Sequence, residues 1–343
     1  MAAAFAPRTV FPTLNSLPRS YFLGHHQAGL SKMKTMLSQI DLIIECRDYR
    51  VPLTSRNPLF EETLAGRERL IVYTKQDLGS EWKVQDSIRE DIIRKWHRPS
   101  SVLFSNHRDK TSVRRVLDFA QDLDASIDSL TGSRMMIVGM PNVGKSSLLN
   151  ALRKVGMRKG KAASTGSQPG VTRKIATTVK IIEGSESGEG VYLVDTPGVF
   201  MPYVPNPESM LKLALCGSVK DTIIAPTSLA DYLLYHLNLY QPHVYTAYTQ
   251  PTNDVMHFLD AVARKTGRLQ KGGHPDFEAA ALWIIQRWRG GHLGRFVLDE
   301  VTEDAIDREL RDTDRMGGSM SQARREQRND RRQRTKQKNL DSG

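Results

Sequence analysis

The sequence predicts an α/β fold with a mostly parallel, doubly wound sheet, followed by a small helical domain. Short apolar runs alternate with helical patterns between residues 40 and 152, and such alternation is typical of βαβ units. Helical patterns alone then fill residues 208–289. At 343 residues the chain is long enough for two domains with a substantial core.

The individual elements are predicted from apolar periodicity and from helix start signals. The predicted strands are residues 40–46, 69–73, 101–106, 135–138 and 191–194. The helices predicted before the last strand are residues 27–38, 59–64, 80–96 with Ser80 as N-cap, 111–130, and one starting near Leu148. The later helices are residues 208–215, 229–239, 253–266 and 275–289.

A Gly-rich stretch at residues 139–147, Gly-Met-Pro-Asn-Val-Gly-Lys-Ser-Ser, lies between a predicted strand and a predicted helix. This is the context of a phosphate-binding P-loop, in which backbone N–H groups and the helix N-terminus point at phosphate oxygens. Lys145 is expected to reach the β- and γ-phosphates, and the Ser146 hydroxyl to bind Mg²⁺. A Gly-rich turn without a ligand is the alternative.

Two motifs follow in the order that a GTPase requires. Thr172, in Gln-Pro-Gly-Val-Thr, is placed to close over Mg²⁺ when a γ-phosphate is present. Asp195 opens the sequence Asp-Thr-Pro-Gly after a predicted buried strand, and its carboxylate suits the Mg²⁺ coordination shell. The Gly198 N–H is expected to contact the γ-phosphate. An ordinary turn is the alternative.

A base-reading motif is predicted at Thr-Lys-Gln-Asp, residues 74–77, where a predicted strand ends. The Asp77 carboxylate can accept hydrogen bonds from guanine N1–H and the 2-amino group, two donors that adenine does not present together. The stem of Lys75 would pack along the base. A solvated turn is the alternative, which the nearby P-loop disfavours.

Composition limits the partners and the compartment. A net charge of +11 and a pI near 9.6 favour an anionic partner, with nucleic acid as the leading candidate. Two cysteines, Cys46 and Cys216, are too few for a disulfide framework or a zinc site, and Cys46 in an apolar run fits a reducing compartment. No apolar run approaches the roughly 18 residues of a membrane span, so no transmembrane segment is expected.

Both ends of the chain are basic. Residues 1–40 contain no Asp or Glu. This composition indicates that residues 1–20 form a mitochondrial targeting segment, and an ordinary basic terminus is the alternative. Residues 324–338 are rich in Arg and Lys and contain no apolar side chain, so a disordered tail that contacts RNA phosphates is expected. A solubilising or targeting tail is the alternative.

The order of the motifs is unusual because Asp77 precedes the P-loop. This order resembles the circularly permuted GTPases. Gly24-His25 and the stretch Arg-Asp-Tyr-Arg-Val-Pro-Leu-Thr-Ser-Arg-Asn-Pro at residues 47–58 resemble the ribosome biogenesis GTPase A (YlqF) branch of that family. The resemblance covers residues 21–199, and the import-like start and basic end suit a mitochondrial member.

The resemblance implies roles for individual residues. Those expected to contact the base are Thr74, Lys75 and Asp77, with Ser105 and Asn106 in a supporting loop. Those expected to hold phosphates and metal are Asn142, Val143, Gly144, Lys145, Ser146 and Ser147, with Thr172, Asp195 and Gly198 as switches. Thr74 stands where the family has Asn, which removes an amide contact, and Ser105-Asn106 matches the family loop only loosely.

The group that activates water is open at this point. Val199 stands where Ras-type enzymes carry a water-positioning Gln. The resemblance implies His25 for that role, with a packing or surface histidine as the alternative and His26 beside it. Relatives with Asn at the position of Asn142 can bind K⁺ beside the phosphates, whereas simple P-loop support is the alternative. Turnover without a partner is expected to be slow.

The resemblance implies a circularly permuted GTPase domain at residues 21–205, a helical domain at 206–298 and a basic, disordered tail at 299–343. It also implies a GTPase, with GTP and Mg²⁺ and with K⁺ as a further ion, that acts in assembly of the mitochondrial large ribosomal subunit. The particle would be bound in the GTP state and released on hydrolysis, in the matrix or at the inner membrane as a peripheral protein. A nucleotide-gated RNA-binding scaffold with negligible hydrolysis is the alternative. An ATP-dependent kinase is disfavoured by Asp77 and by the ordered switch motifs.

Overall fold

A computed structural model describes residues 5–14, 17–18, 21–22, 24–126, 132–160, 162–163, 178–184, 190–201, 203–204 and 206–315. Within these residues one six-stranded sheet has the order β3-β2-β1-β4-β6-β5. The strands are β1 Leu42–Asp48, β2 Arg69–Thr74, β3 Ser101–Ser105, β4 Ser133–Gly139, β5 Val179–Glu183 and β6 Gly190–Asp195. Neighbouring strands are parallel except β5, which is antiparallel to β6.

Ten α-helices surround or follow the sheet in the described part of the chain. They are α1 Gly24–Met36, α2 Pro58–Thr63, α3 Lys83–Trp96, α4 Lys110–Ser126, α5 Lys145–Gly156, α6 Pro207–Leu215, α7 Pro226–Tyr240, α8 Val255–Thr266, α9 Phe277–Arg289 and α10 Glu303–Arg315. None of the helices in the described ranges is long and apolar enough to cross a membrane.

The sheet is covered on both faces, which explains the continuous apolar runs of its central strands. In β1, Ile44 packs into the core that includes Leu117 of α4 and Leu149 of α5. The next residue back, Ile43, points to the other face and packs with residues of α1 and α2. Since successive side chains alternate between faces, a strand buried on both sides has no polar face. The predicted mostly parallel, doubly wound sheet is confirmed.

Parallel register brings four strand ends to one edge of the sheet. Asp48 lies opposite Thr74, Cys46 lies opposite Gly139, and Ile137 lies opposite Asp195. The loops that carry the predicted base, phosphate and switch motifs therefore leave the sheet side by side. The edge formed by the carboxyl ends of the strands is where open α/β sheets bind ligands.

The helical region shares its core with the sheet domain. Leu233 and Leu237 of α7 pack with Ile284 and Trp288 of α9, in the same apolar cluster as Leu149 of α5. Each of these side chains is almost fully buried. The expected small helical domain is present, and its core is continuous with that of the sheet.

Residues 5–14, within the predicted targeting segment, lie against α7. The ring centroid of Phe11 is 5.1 Å from that of Tyr232 and 5.6 Å from that of Tyr235. Arg8 Nη2 lies 2.6 Å from Asp231 Oδ1, and Asn253 Nδ2 donates to the Ala6 carbonyl at 2.9 Å. This part of the chain is therefore packed as part of the folded protein.

Several predicted helix starts are wrong by about three residues, and two of these differences concern residues named in the predictions. Ser80 does not cap α3, because that helix begins at Lys83 and the Ser80 hydroxyl instead accepts a hydrogen bond from Trp82 N at 3.0 Å. Helix α1 begins at Gly24, three positions before the predicted start, and so includes the predicted site residue His25.

The segment predicted as a disordered tail from residue 299 contains ordered structure. Helix α10 occupies residues 303–315, and Ile306 in it is 6% exposed. The Asp299 carboxylate accepts hydrogen bonds from Leu53 N and from Thr54 N and Oγ1 at 2.7–2.9 Å. These contacts hold the chain beyond residue 298 against the loop after β1. Residues 316–343, which include the basic run at 324–338, lie outside the described residues.

Candidate nucleotide-binding site

The P-loop at residues 139–147 has a backbone that demands glycine at two positions. Gly139 has a φ of +149°, and a Cβ there would lie 2.4 Å from the carbonyl oxygen of Cys46. Gly144 has a φ of +97°, and a Cβ there would approach Thr74 Oγ1 to 3.2 Å. Asn142 between them also has a positive φ of 58°. The loop thus curls tightly from β4 into α5, and its N–H groups converge at the helix N-terminus.

Lys145 places a buried cation in this loop. Its side chain donates from Nζ to the carbonyl oxygens of Gly139 at 3.2 Å and Met140 at 2.7 Å. Burial lowers the pKa of Lys145 to about 8, while the nearby Asp195 carboxylate acts in the opposite direction. An ammonium beside convergent N–H groups is suited to a polyphosphate anion.

Ser146 and Asp195 lie together at the start of α5 and the end of β6. Ser146 Oγ donates to Asp195 Oδ2 at 2.8 Å. Asp195 Oδ1 is buried and has no hydrogen-bond partner within the described residues, and burial raises the pKa of this carboxyl. An unpaired buried carboxylate oxygen is costly, so this atom fits a cationic or hydrated ligand.

This pair of oxygen ligands fits Mg²⁺ bound together with phosphate oxygens. In P-loop proteins one hydroxyl and one carboxylate complete a shell supplied largely by water and nucleotide. No group of three or more His, Cys, Asp or Glu suited to a metal occurs in the described ranges. The third predicted metal ligand, Thr172, lies outside the described residues, as does the rest of its Gln-Pro-Gly-Val-Thr motif.

The segment after Asp195 is packed between the P-loop and α1. A Cβ on Gly198 would lie 2.5 Å from Pro141 Cα, so Gly198 allows close approach as well as offering an N–H. Val199 N donates to the Gly139 carbonyl at 3.2 Å, and Asn57 Nδ2 donates to the Val199 carbonyl at 2.8 Å. A displacement of this segment would therefore break contacts with the P-loop and with the loop after β1.

The predicted base-reading loop touches the P-loop directly. Thr74 Oγ1 bonds to the carbonyl oxygens of Arg47, at 3.1 Å, and Val143. Lys75 has a left-handed backbone with a φ of 59°, and its Nζ donates to Asn142 O at 2.7 Å. Asp77 follows within a single 3₁₀ turn, Gln76–Leu78, and is half-buried. All three predicted base-reading residues lie at the ligand edge of the sheet.

Ser105 and Asn106 differ in what they offer a ligand. Ser105 pairs with Thr74 in the β2–β3 register, and its hydroxyl is buried without a hydrogen-bond partner in the described part of the chain. Asn106 instead uses its side chain locally, since Oδ1 accepts from Arg108 N at 2.9 Å. Ser105 is therefore the better placed of the two for a ligand contact.

The two histidines of α1 have opposite environments. His25 is exposed in the first turn, while His26 is 2% exposed and lies near the rings of Tyr21 and Phe200. Burial lowers the pKa of His26 to about 3, with smaller contributions from the charges of His25 and Lys145. His26 is thus a neutral, packed side chain, whereas His25 is accessible to solvent.

Sequence reasoning gave no role to two buried residues beside the base-reading loop. Asp48 accepts hydrogen bonds from Lys75 Nζ at 2.8 Å and from Arg50 Nη2 at 2.7 Å. Both residues belong to the Arg-Asp-Tyr-Arg stretch that carried the family resemblance. A carboxylate just after a predicted buried strand is the sequence signal that could have identified them.

Comparison with known proteins agrees with this site. Residues 134–263 match the family model described as 50S ribosome-binding GTPase. Mitochondrial GTPase 1 of Schizosaccharomyces pombe is 36% identical over 320 residues, which cover 88% of this chain and 95% of that protein. The chain belongs to the mitochondrial GTPase 1 family. As the family and the P-loop site together require, it is a GTP-hydrolysing enzyme that binds GTP.

Further relatives and solved structures extend the same picture. Mitochondrial ribosome-associated GTPase 1 of Bos taurus is 37% identical over 317 residues, covering 87% of this chain and 93% of that protein. GNP-bound YlqF from T. maritima superposes with a TM-score of 0.52 at 22% identity, over 79% of this chain and 97% of that one. The structural likeness supports the circularly permuted fold, in which the predicted base-reading loop comes before the P-loop. The predicted resemblance to the YlqF branch is confirmed, and the family is mitochondrial.

Proposed function

We propose that this mitochondrial GTPase is Mg²⁺-dependent and acts in assembly of the mitochondrial large ribosomal subunit. It binds the particle in the GTP state and is released after hydrolysis, in the matrix or at the matrix face of the inner membrane. The observation that carries the nucleotide part is the convergence of Lys75, Asn142 and the Ser146–Asp195 pair at one sheet edge. Ribosome association is supported by the names of the relatives and of the family model.

We assign the predicted site residues to three parts of the nucleotide. Thr74, Lys75 and Asp77 contact the guanine, with Ser105 and Asn106 beside it. Asn142, Val143, Gly144, Lys145, Ser146 and Ser147 hold the phosphates. Ser146, Thr172 and Asp195 complete the Mg²⁺ shell, and the Gly198 N–H contacts the γ-phosphate. Mg²⁺ would neutralise charge that develops on the β- and γ-phosphates.

For hydrolysis we propose His25 as the group that orients water, because it is the exposed histidine of the pair in α1. Its neighbour His26 is packed among aromatic rings and has little access to a water molecule. K⁺ is proposed beside the phosphates next to Asn142, because an amide oxygen is a ligand type that suits K⁺ and an added cation offsets transition-state charge.

We propose that hydrolysis is coupled to release through the connection between the switch segment and the helical domain. The chain passes from Asp195 through Val199 directly to α6 of the helical domain. Val199 N is bonded to the P-loop carbonyl of Gly139. Loss of the γ-phosphate from Gly198 would shift this segment, and the helical domain would follow it.

The direct test is GTP hydrolysis by the purified protein in K⁺ buffer, with and without mitochondrial large ribosomal subunits, repeated with ATP. Strong stimulation by the subunit with preference for GTP supports the proposal. Tight GTP binding without turnover in either condition favours the RNA-binding scaffold instead. Stimulation that persists when small subunits replace large ones removes the large-subunit assignment, and equal use of ATP removes the base-reading role of Asp77.

A further inference from the structure

Asp48 is the last residue of β1, and its buried carboxylate joins three parts of the molecule. Oδ1 accepts hydrogen bonds from Arg50 N and Arg50 Nε, each at 3.0 Å. Oδ2 accepts from Arg50 Nη2 at 2.7 Å and from Lys75 Nζ at 2.8 Å. Burial acts to raise the pKa of Asp48, but the charges of Arg50 and Lys75 outweigh it and hold that pKa well below its usual range. The carboxylate is therefore ionised, and each of its two oxygens accepts two hydrogen bonds.

Lys75 is fixed from two sides. Its ammonium lies between Asp48 Oδ2 and the Asn142 carbonyl of the P-loop, at 2.8 and 2.7 Å. Because the backbone of Lys75 is left-handed, the side chain turns back from the base-reading loop toward β1. Asp48 thus determines where the Lys75 stem lies, and the stem is the part proposed to pack along the base.

Arg50 carries the same network into the helical domain. Its guanidinium carbon lies 4.8 Å from the ring centroid of Trp288 in α9, and Nη2 approaches the Cys216 carbonyl at 3.5 Å. The Arg50 carbonyl accepts from Leu298 N at 2.8 Å. Both Arg50 and Trp288 are almost completely buried, where cation–π contacts and charge-assisted hydrogen bonds are strongest.

The turn after α6 touches the P-loop at a second point. Asn142 Nδ2 donates to the Gly217 carbonyl at 3.3 Å. Gly217 has a φ of +83°, and a Cβ there would lie 2.7 Å from Asn142 Nδ2. One turn of the helical domain, residues 216–217, therefore contacts both the Asp48–Arg50 pair and the P-loop.

We propose that Asp48 is a positioning residue for guanine-nucleotide binding, and that the Arg50–Trp288 contact makes this positioning depend on docking of the helical domain. The proposal rests on the proposed base contact of Lys75. By linkage, a partner that shifts the helical domain away from Arg50 weakens nucleotide binding, and bound nucleotide opposes that shift to the same extent. This path lies on the base side of the site and is separate from the Asp195–Val199 segment.

The test uses the full chain and variants that leave the Asp48 charge in place. Arg50→Lys keeps a cation but loses the bidentate geometry, and Trp288→Leu removes the aromatic face. We expect each to weaken GDP binding and raise the KM for GTP about tenfold, within the range typical of couplings between sites. Since the lost interaction is present in ground state and transition state alike, kcat at saturating GTP is expected to stay unchanged.

Matched controls come from another tryptophan of α9, Trp283, and from Arg268, which contacts its ring. Arg268 lies 4.4 Å from the ring centroid of Trp283, and neither residue contacts the nucleotide loops in the described structure. Arg268→Lys and Trp283→Leu are expected to leave GDP affinity unchanged. Trp288→Phe retains an aromatic face and is expected to bind GDP more tightly than Trp288→Leu.

Several outcomes overturn the proposal. Nucleotide affinity unchanged in Arg50→Lys and Trp288→Leu, measured well below their melting temperatures, removes the dependence on the helical domain. Equal weakening by the Arg268 and Trp283 controls shows a general loss of stability instead. If the wild-type protein has no preference for guanine over adenine nucleotides, the base-reading function itself is wrong. If that preference is present but nucleotide affinity is unchanged in Arg50→Lys and Trp288→Leu, the base-reading function stands and the coupling of the Asp48–Arg50 pair to the helical domain is wrong.

Discussion

Ser146 Oγ donates a hydrogen bond to Asp195 Oδ2 at 2.8 Å, which joins the first turn of α5 to the carboxyl end of β6. The other Asp195 oxygen, Oδ1, has no protein partner within the described residues. One carboxylate oxygen of Asp195 therefore bonds to Ser146, and the other lacks a hydrogen-bond partner in the described structure. This contact fits the Mg²⁺-binding role that we propose for both residues.

We expect Asp195→Asn to lower GTP hydrolysis by about a hundredfold, as loss of one preorganised electrostatic group does. The amide cannot supply the anionic oxygen, so the difference in GTP affinity between Mg²⁺ and EDTA buffers should shrink. Thr196→Val is the matched control, because Thr196 Oγ1 only donates to the Ile137 carbonyl at 2.6 Å. Retention of full Mg²⁺ dependence in Asp195→Asn would contradict the assignment.

Base selectivity is expected to change with Asp77→Asn. The amide oxygen can accept from N1–H of either base, and the amide NH₂ can donate to the C2 carbonyl of xanthine but offers no acceptor to the guanine 2-amino group. The measurement is competition of GDP, XDP and ADP for a labelled nucleotide, with XDP expected to gain and GDP to lose at least about tenfold each. Gln76→Ala is the control, because Gln76 Nε2 is bonded to Glu90 of α3 at 2.5 Å. An unchanged preference for GDP over XDP in Asp77→Asn would remove this residue from base reading.

Asp195 and Asp77 could be predicted as site residues from the sequence because each lies beside a short, local pattern. Parallel strands buried on both faces give continuous apolar runs, and the P-loop and Asp-Thr-Pro-Gly motifs directly follow such runs. Strand β5 was missed because Val-Lys-Ile-Ile-Glu at residues 179–183 lacks a continuous apolar run and pairs only with β6. Helix α10 was missed because its sequence is strongly charged. Among the side chains that the structure describes in this helix, only Ile306 is buried.

Contacts between distant segments could not be predicted at all. Arg50 and Trp288 meet only because α9 folds back over the end of β1, and no pattern in a single sequence links two such positions. The same holds for Asp299, whose carboxylate binds the backbone of Leu53 and Thr54. The N-terminal segment is the clearest example. Its acid-free, Arg-containing composition indicates mitochondrial import, but composition cannot predict the aromatic contact between Phe11 and α7.

The packing of that N-terminal segment makes a prediction about stability. Phe11→Ala should lower the free energy of unfolding by about 2 kcal/mol, below the usual cost in a core because Phe11 is only half-buried. Val10→Ala is the matched control, since Val10 is 75% exposed and should change stability by less than about 0.5 kcal/mol. Chemical denaturation measures both.

We also expect the protein isolated from mitochondria to retain Phe11, which intact-mass measurement checks; a mature form that starts beyond this residue would contradict it.

Buried His236 predicts a pH dependence of stability that arises in the helical domain. Both ring nitrogens of His236 lack hydrogen-bond partners within the described residues, and burial, with help from the charge of Lys212, lowers its pKa from 6.5 to about 3. The groups packed around the ring are Tyr232, Tyr235, Tyr240 and Phe296. Between pH 6.5 and 3 the unfolded state binds a proton that the folded state does not, so stability falls as the pH is lowered through this window.

We expect His236→Leu to remove the part of the pH dependence of the free energy of unfolding that arises from protonation of His236. Between pH 7.5 and pH 5 the wild-type protein should lose about 2 kcal/mol more than the variant, from the difference between the two pKa values. A slope remains in the variant, because burial also lowers the pKa of His26 to about 3 and that of His97 to about 2. The control is His243→Leu, which replaces an exposed histidine just after α7. Guanidinium denaturation at the two pH values gives the result, and equal losses in the wild-type protein and His236→Leu would show that His236 titrates as it does in the unfolded chain.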